Sequence, residues 1–140
     1  MGGKELKAAI GSLLQEFFQR TKILPHYTTS DFDYPFSNRI KTNIHRIVQE
    51  ALTNIAEHSE ATKVTVKLQA FPQYLEVTIA DNGKGFNLEQ NTTGMGIQGM
   101  RERVATLSGS LIISSSISQG CTLTINIPHQ HLDGGDRLNT

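Results

Sequence analysis

Residues 37–58 read SNRIKTNIHRIVQEALTNIAEH. Ile40, Ile44, Ile47, Val48, Ala51, Leu52 and Ile55 recur at intervals of three and four, which places them along one stripe of an α-helix. A long helix with a single apolar stripe needs another layer to cover that stripe. The next residues supply one. Val64 to Ala70 (VTVKLQA) and Leu75 to Ala80 (LEVTIA) alternate apolar and polar, and Pro72-Gln73 turns the chain between them. This pattern predicts an antiparallel hairpin. Leu111 to Ile117 and Cys121 to Ile127, around Ser118-Gln119-Gly120, predict a second hairpin.

Working outward, Leu6, Ile10, Leu13, Leu14, Phe17 and Phe18 mark a helix near the start of the sequence. No Ser, Thr or Asp stands ahead of it as a cap, so the reading expects a piece of something longer. Ile23 to Thr29 reads as a strand that Pro25 confines to a sheet edge, and residues 30–35 as a loop. Ile97, Met100, Val104 and Leu107 predict a further helix, with Gly109 as its C-terminal stop. The expected architecture is α+β: a two-layer α/β sandwich with helices packed on one face of a mixed, largely antiparallel sheet.

Composition narrows the function classes. Thirteen basic residues balance thirteen acidic ones over 140 residues, so the chain lacks the positive surplus that broad nucleic-acid or anionic-membrane binding requires. The single cysteine, Cys121, excludes a disulfide framework within the chain and any zinc site built on several thiolates. No apolar run approaches the roughly 20 residues of a membrane helix. Residues 4–128 are expected to form one domain. Residues 1–3 read as a start with flexible spacer, and the polar tail 129–140 as disordered.

Three segments carry candidate chemistry. Glu50 and Asn54 are four residues apart on one helix face. Asn54 falls at the border of the apolar stripe, where an amide can look into a pocket between helix and sheet or lie on the surface beside a solvated acid. Asp81-Asn82-Gly83-Lys84-Gly85-Phe86 follows a strand directly. Its carboxylate only accepts hydrogen bonds and so suits an exocyclic amino group such as that of adenine; the same letters also spell an ordinary Asn-Gly turn. In Gly94-Met95-Gly96-Ile97-Gln98-Gly99-Met100, glycines open a helix in the way that lets backbone N–H groups approach phosphate oxygens. Nine residues separate Gly85 from Met95, which counts against a dinucleotide-binding βαβ unit.

Taken together, HRIVQEALTNIAEHS (45–59), DNGKGF (81–86), GMGIQGMRERV (94–104) and GCTLTINIP (120–128) resemble, in order and spacing, the ATP-binding catalytic domain of sensor histidine kinases with its Bergerat fold. More narrowly they resemble the subfamily of bacterial nitrate-response and desaturase-regulating sensors. The resemblance implies Mg²⁺ and ATP as cofactors, with Asn54 holding the metal and Glu50 orienting water or the attacking group. It implies that His58 lies against adenine, that Asp81 reads the base, and that Gly83 and Gly85 make room for it. Gly94, Met95, Gly96 and Ile97 would close over the phosphates, Thr122 would sit near the base, and residues 87–93 would form a mobile lid. Arg101 and Arg103 match the subfamily's RERV turn as phosphate contacts or salt-bridge partners, and Cys121 reads as packing.

Glu57 departs from the pattern, because relatives place a lysine there and an acid would repel ATP unless it turns away. None of His26, His45, His58, His129 or His131 has the context of a phosphoacceptor, which the resemblance puts on a separate helical hairpin next to an acidic residue. The implied function is cytoplasmic transfer of the ATP γ-phosphoryl group to a histidine on that absent dimerisation domain, with a response regulator downstream. A degenerate nucleotide-binding regulatory module and an anti-sigma-type serine kinase are the competing readings.

Overall fold

The helix of residues 37–58 sets the layer order. In the computed structural model, which describes residues 2–30, 36–84, 97–115 and 120–128, it starts at the capping residue Ser37, whose Oγ accepts from the Ile40 amide at 3.2 Å. Helix α2 spans Asn38–Asn54, and its apolar stripe (Ile40, Ile44, Ile47, Val48, Ala51 and Leu52) is buried. It does not continue as an α-helix to His58 as its periodicity predicts. From Ile55 to Ser59 the chain widens into a single π-helical turn, and Glu60 follows in the left-handed region at φ 57°. Such turns insert one residue into the helical register and concentrate at functional sites.

Helix α1 (Gly2–Thr21) buries Leu6, Ile10, Leu14 and Phe17 and packs beside α2. Helix α3 (Ile97–Thr106) buries Ile97, Met100 and Val104 on the other side of α2. All three cover one five-stranded sheet of β1 (Leu24–Thr29), β2 (Lys63–Ala70), β3 (Tyr74–Asp81), β4 (Ser110–Ser115) and β5 (Cys121–Pro128). The strand order is β1-β2-β3-β5-β4. β1 runs parallel to β2 and every other pairing is antiparallel, so the sandwich and its mixed, largely antiparallel sheet are as expected. Pro25 does lie in an edge strand.

The pleat sorts the sheet's side chains by parity. Val64, Val66, Leu68, Leu75, Val77, Ile79, Leu123, Ile125 and Ile127 are buried and merge with the helix stripes into one core. Thr65, Thr78, Ala80, Thr122, Thr124 and Asn126 alternate with them and face the other way. Tyr27 ties β1 to α1 by donating its hydroxyl to the Lys7 carbonyl at 2.7 Å.

The stop after α3 differs from its sequence reading. The left-handed residue is Ser108, at φ 58°, and not Gly109. The Gly109 amide donates to Val104 O at 3.0 Å and the Ser108 amide to Ala105 O at 2.9 Å, the bond pair of a Schellman C-cap. Gly109 is needed for space: a Cβ there would lie 2.5 Å from Asn126 O of β5.

Candidate functional site

Where the C-terminal end of α2 meets the adjoining ends of β3 and β5, the described residues leave a cavity. Asn54, Ile55, His58 and Ser59 line one wall, Ile79, Asp81, Cys121 and Leu123 the floor, and Ile97 and Met100 the side toward α3. Asp81 and Cys121 are register partners across β3 and β5, so a carboxylate and a thiol stand side by side at the end of the sheet. The space open to a water-sized sphere among the described residues is about 40 Å³.

Asp81 is half-buried, and loss of solvent pushes its pKa above the ordinary carboxylate value, a shift opposed by the Gly83 amide, which donates to its Oδ1 at 2.8 Å. Asn82 faces elsewhere. Its Oδ1 accepts from the amides of Thr62 and Lys63 at 2.9 and 3.0 Å, and its Nδ2 donates to Thr62 Oγ1 at 2.9 Å, which fastens the loop to the start of β2. The residues after Asp81 therefore do not form a free Asn-Gly hairpin turn. Gly83 lies against the backbone of Ser59, and the Lys84 amide donates to the Ser59 carbonyl at 2.7 Å. The π turn delivers that carbonyl.

Ser59 was not singled out by the sequence, although it is the one buried polar residue among the described ones. Its Oγ donates to Ile55 O at 2.9 Å and accepts from the Ala61 amide at 3.1 Å, so the hydroxyl is satisfied within the turn. Cys121 lines the cavity although the sequence reads it only as packing. Desolvation, with the Asp81 charge adding to it, raises its thiol to about 11. Thr122, by contrast, is not brought to the cavity. It pairs with Ala80, one residue out of phase with inward-facing Cys121 and Leu123, and so faces the opposite side of the sheet. The alternation Cys121, Leu123, Ile125, Ile127 carried that signal.

Of the remaining candidates, Asn54, His58, Asp81 and Ile97 line the cavity, and Gly83 lies against the lining residue Ser59. Glu50 stands one helical turn before Asn54, with its carboxylate near the backbone of Gly99 at the start of α3. Gly85, Gly94, Met95, Gly96, the segment 87–93 and the tail 129–140 lie outside the described residues. Glu57 faces a separate hollow shared with Phe17, Arg20 and Thr53 against α1, and its Oε1 is 3.7 Å from His58 Nε2. Arg101 donates to Leu111 O at 3.3 Å and Arg103 to Asn43 Oδ1 at 3.4 Å.

A helix end carrying an amide, a strand end carrying a carboxylate and an apolar slot between them can hold a flat heterocycle and present its polar edge to Asp81. Residues 40–131 match the family described as histidine kinase-, DNA gyrase B- and HSP90-like ATPases, and the chain belongs to that family. The sensor histidine kinase LiaS of Bacillus subtilis is 34% identical over 127 residues, a stretch that takes in 90% of this chain and 35% of LiaS. The chain thus spans about a third of that relative's length.

Two solved structures share the fold. The histidine kinase domain of the blue-light activated histidine kinase from Erythrobacter litoralis superposes with a TM-score of 0.72 at 22% identity, over 90% of this chain and 62% of that one. A nucleotide-free catalytic domain of the histidine kinase ThkA gives 0.72 at 17% identity, over 91% and 92% of the two chains. Among the described residues no helix is long and apolar enough to cross a membrane.

Proposed function

We infer that this chain is the Mg·ATP-binding catalytic domain of a cytoplasmic two-component sensor kinase of the nitrate-response and desaturase-sensor type. Its parent would pass the γ-phosphoryl group to a histidine on a separate dimerisation domain and from there to a response regulator. The observation that carries the reading is the cavity itself. It joins Asn54 and His58 of one element to Asp81 of another in a chain of this ATPase family. In this reading Asp81 accepts from the adenine amino group, Gly83 keeps the Asp81 loop close to the π turn, and His58 covers one face of the base. Gly85, Gly94, Met95 and Gly96 would contribute backbone toward the nucleotide. In this reading Cys121, the register partner of Asp81, stands at the base, where the resemblance places Thr122.

The donor set suits Mg²⁺. Asn54 offers a hard amide oxygen at the cavity wall, with the Glu50 carboxylate one turn away. Among the described residues no group of three or more His, Cys, Asp or Glu could hold a metal by itself. A Mg²⁺ with few protein ligands keeps several waters and shares phosphate oxygens. When bound, the ion would neutralise charge on the phosphates; the chain's own residues position the nucleotide, which is most of what phosphoryl transfer asks of a protein. Glu57 lines a hollow toward α1 and not the cavity, and reaches it only through His58, whose Nε2 is 3.7 Å from the Glu57 carboxylate.

Calorimetric titration of the chain with Mg·ATP tests binding, with heat released for ATP and none for an equal concentration of GTP as the expected result. Addition of the parent's histidine-bearing hairpin domain with γ-labelled ATP tests transfer. Absence of label on that domain would remove the kinase reading while leaving the nucleotide site standing.

A further inference from the structure

Three polar side chains cross the end of the sheet in one row. Asp81 of β3 is the register partner of Cys121 of β5, and Cys121 is the register partner of Ser115 of β4. Register partners point to the same face, so the carboxylate, the thiol and the hydroxyl stand side by side, each half-buried. Cys121 is the middle member and has a polar neighbour on either hand. A carboxylate is the stronger acceptor of the two for a thiol hydrogen. Even so, the thiol's hydrogen-bond partner is Ser115, whose Oγ also donates to Gly120 O at 3.3 Å. Asp81 acts on the thiol through its charge alone. Of its own two oxygens, Oδ1 accepts from the Gly83 amide, and Oδ2 has no hydrogen-bond partner among the described residues.

We propose that Ser115 is a positioning residue for the nucleotide site: it holds the Cys121 thiol on the β4 side of the row and so keeps the second oxygen of Asp81 open for the amino group of the base. The proposal rests on the Mg·ATP reading of the cavity. Without the hydroxyl, the thiol is left with one strong acceptor beside it, and a change of rotamer turns its hydrogen to Asp81. The base then has to displace that bond before the carboxylate can read it. On its other side Asp81 meets no such competitor, because its register partner there is Val64 of β2, an apolar residue. Ser115 does not line the cavity and acts through Cys121.

Calorimetric titration with Mg·ATP of the full chain and its variants tests this. Ser115→Ala is expected to weaken binding about three- to tenfold, the worth of one modest competing hydrogen bond. Ser115→Thr keeps the hydroxyl and should bind as the unsubstituted chain does. In a Cys121→Ala background, Ser115→Ala should cost nothing further, because the competing thiol is gone. A packing defect at position 115, or the loss of its bond to Gly120, would persist in that background, so the cycle separates positioning from structure. Thermal unfolding of each variant establishes that it is folded. An unsubstituted chain that takes up no Mg·ATP overturns the reading beneath the proposal. A chain that binds, but with Ser115→Ala at full affinity, with Ser115→Thr as weak as Ser115→Ala, or with the loss undiminished once Cys121 is removed, overturns the proposal alone.

Discussion

Gly83 rests on the carbonyl of Ser59: a Cβ at position 83 would lie 2.2 Å from Ser59 O and 2.7 Å from Ser59 Cβ. Both neighbours are held in place, since Ser59 is bonded inside the π turn and its carbonyl is taken by the Lys84 amide. Gly83→Ala therefore cannot be accommodated by a rotamer change. It is expected to destabilise the fold by about 1–3 kcal/mol, the usual cost of overpacking. It should also weaken ATP binding, because the loop that carries Asp81 has to lift. Thermal unfolding and calorimetric titration of the same variant check the two effects together; an unaltered midpoint would show that the contact is softer than its geometry.

Asp81→Asn separates recognition from stability. The new side chain keeps an oxygen to accept from the Gly83 amide, so the loop is retained. Loss of a charge-assisted hydrogen bond to the adenine amino group should cost about 1.5–3 kcal/mol of binding, roughly ten- to a hundredfold in affinity. The sign of the stability effect is the opposite. Burial raises the Asp81 pKa in the native state, so between the unfolded value of 3.8 and the raised one the native chain holds more protons. Its contribution to stability is thus fullest at low pH and falls as pH rises through that window. At neutral pH Asn should be neutral to slightly stabilising by denaturant titration, and this part of the pH dependence should vanish.

Cys121 and Thr122 give a test of strand parity. With its thiol raised to about 11 from an ordinary 9.0, Cys121 holds about a hundredfold less thiolate at neutral pH than an unperturbed cysteine. Alkylation by a maleimide should be correspondingly slow, and slower again with Mg·ATP present. Thr122→Val, on the opposite face, should leave ATP affinity unchanged. If Thr122→Val weakens binding, the placement of residues 121 and 122 relative to the nucleotide is reversed.

Most of the layer architecture is legible in periodicity, because Ile40 to Leu52 and Val64 to Ile79 can bury their apolar sets in only one arrangement. The β1 edge follows from Pro25 alone. The π turn is not legible: Ile55, Ala56, Glu57 and His58 continue a plausible α-helical pattern, and the residues that meet Ser59 at its end, Gly83 and Lys84, lie more than 20 positions away. The same applies to the site. Asn54 and Asp81 are marked by the chemistry of their side chains, His58 by the family resemblance alone. Cys121 reads only as packing and the resemblance puts Thr122 near the base, although alternation with Leu123 and Ile125 turns Cys121 inward and Thr122 outward. Gly109 reads as a conformational stop, whereas its constraint comes from β5.

That last point makes opposite predictions for adjacent residues. If Gly109 served by adopting a left-handed conformation, replacing Ser108 would matter little and Gly109→Ala would be strained through its backbone. In the structure Ser108 carries the positive φ of 58°, and Gly109 has Asn126 O at 2.5 Å and Val104 Cγ1 at 3.1 Å from where a Cβ would stand. Ser108→Gly removes the left-handed penalty and should stabilise the chain by up to about 1 kcal/mol. Gly109→Ala forces α3 away from β5 and should destabilise by about 1–3 kcal/mol. Because the Asn126 carbonyl is fixed in the sheet, the double variant should show near-additive changes in chemical denaturation, the gain at 108 leaving the loss at 109 in place. A double variant as stable as Ser108→Gly alone would mean that β5 yields to the new methyl group, and that Gly109 is not held by its closeness to Asn126.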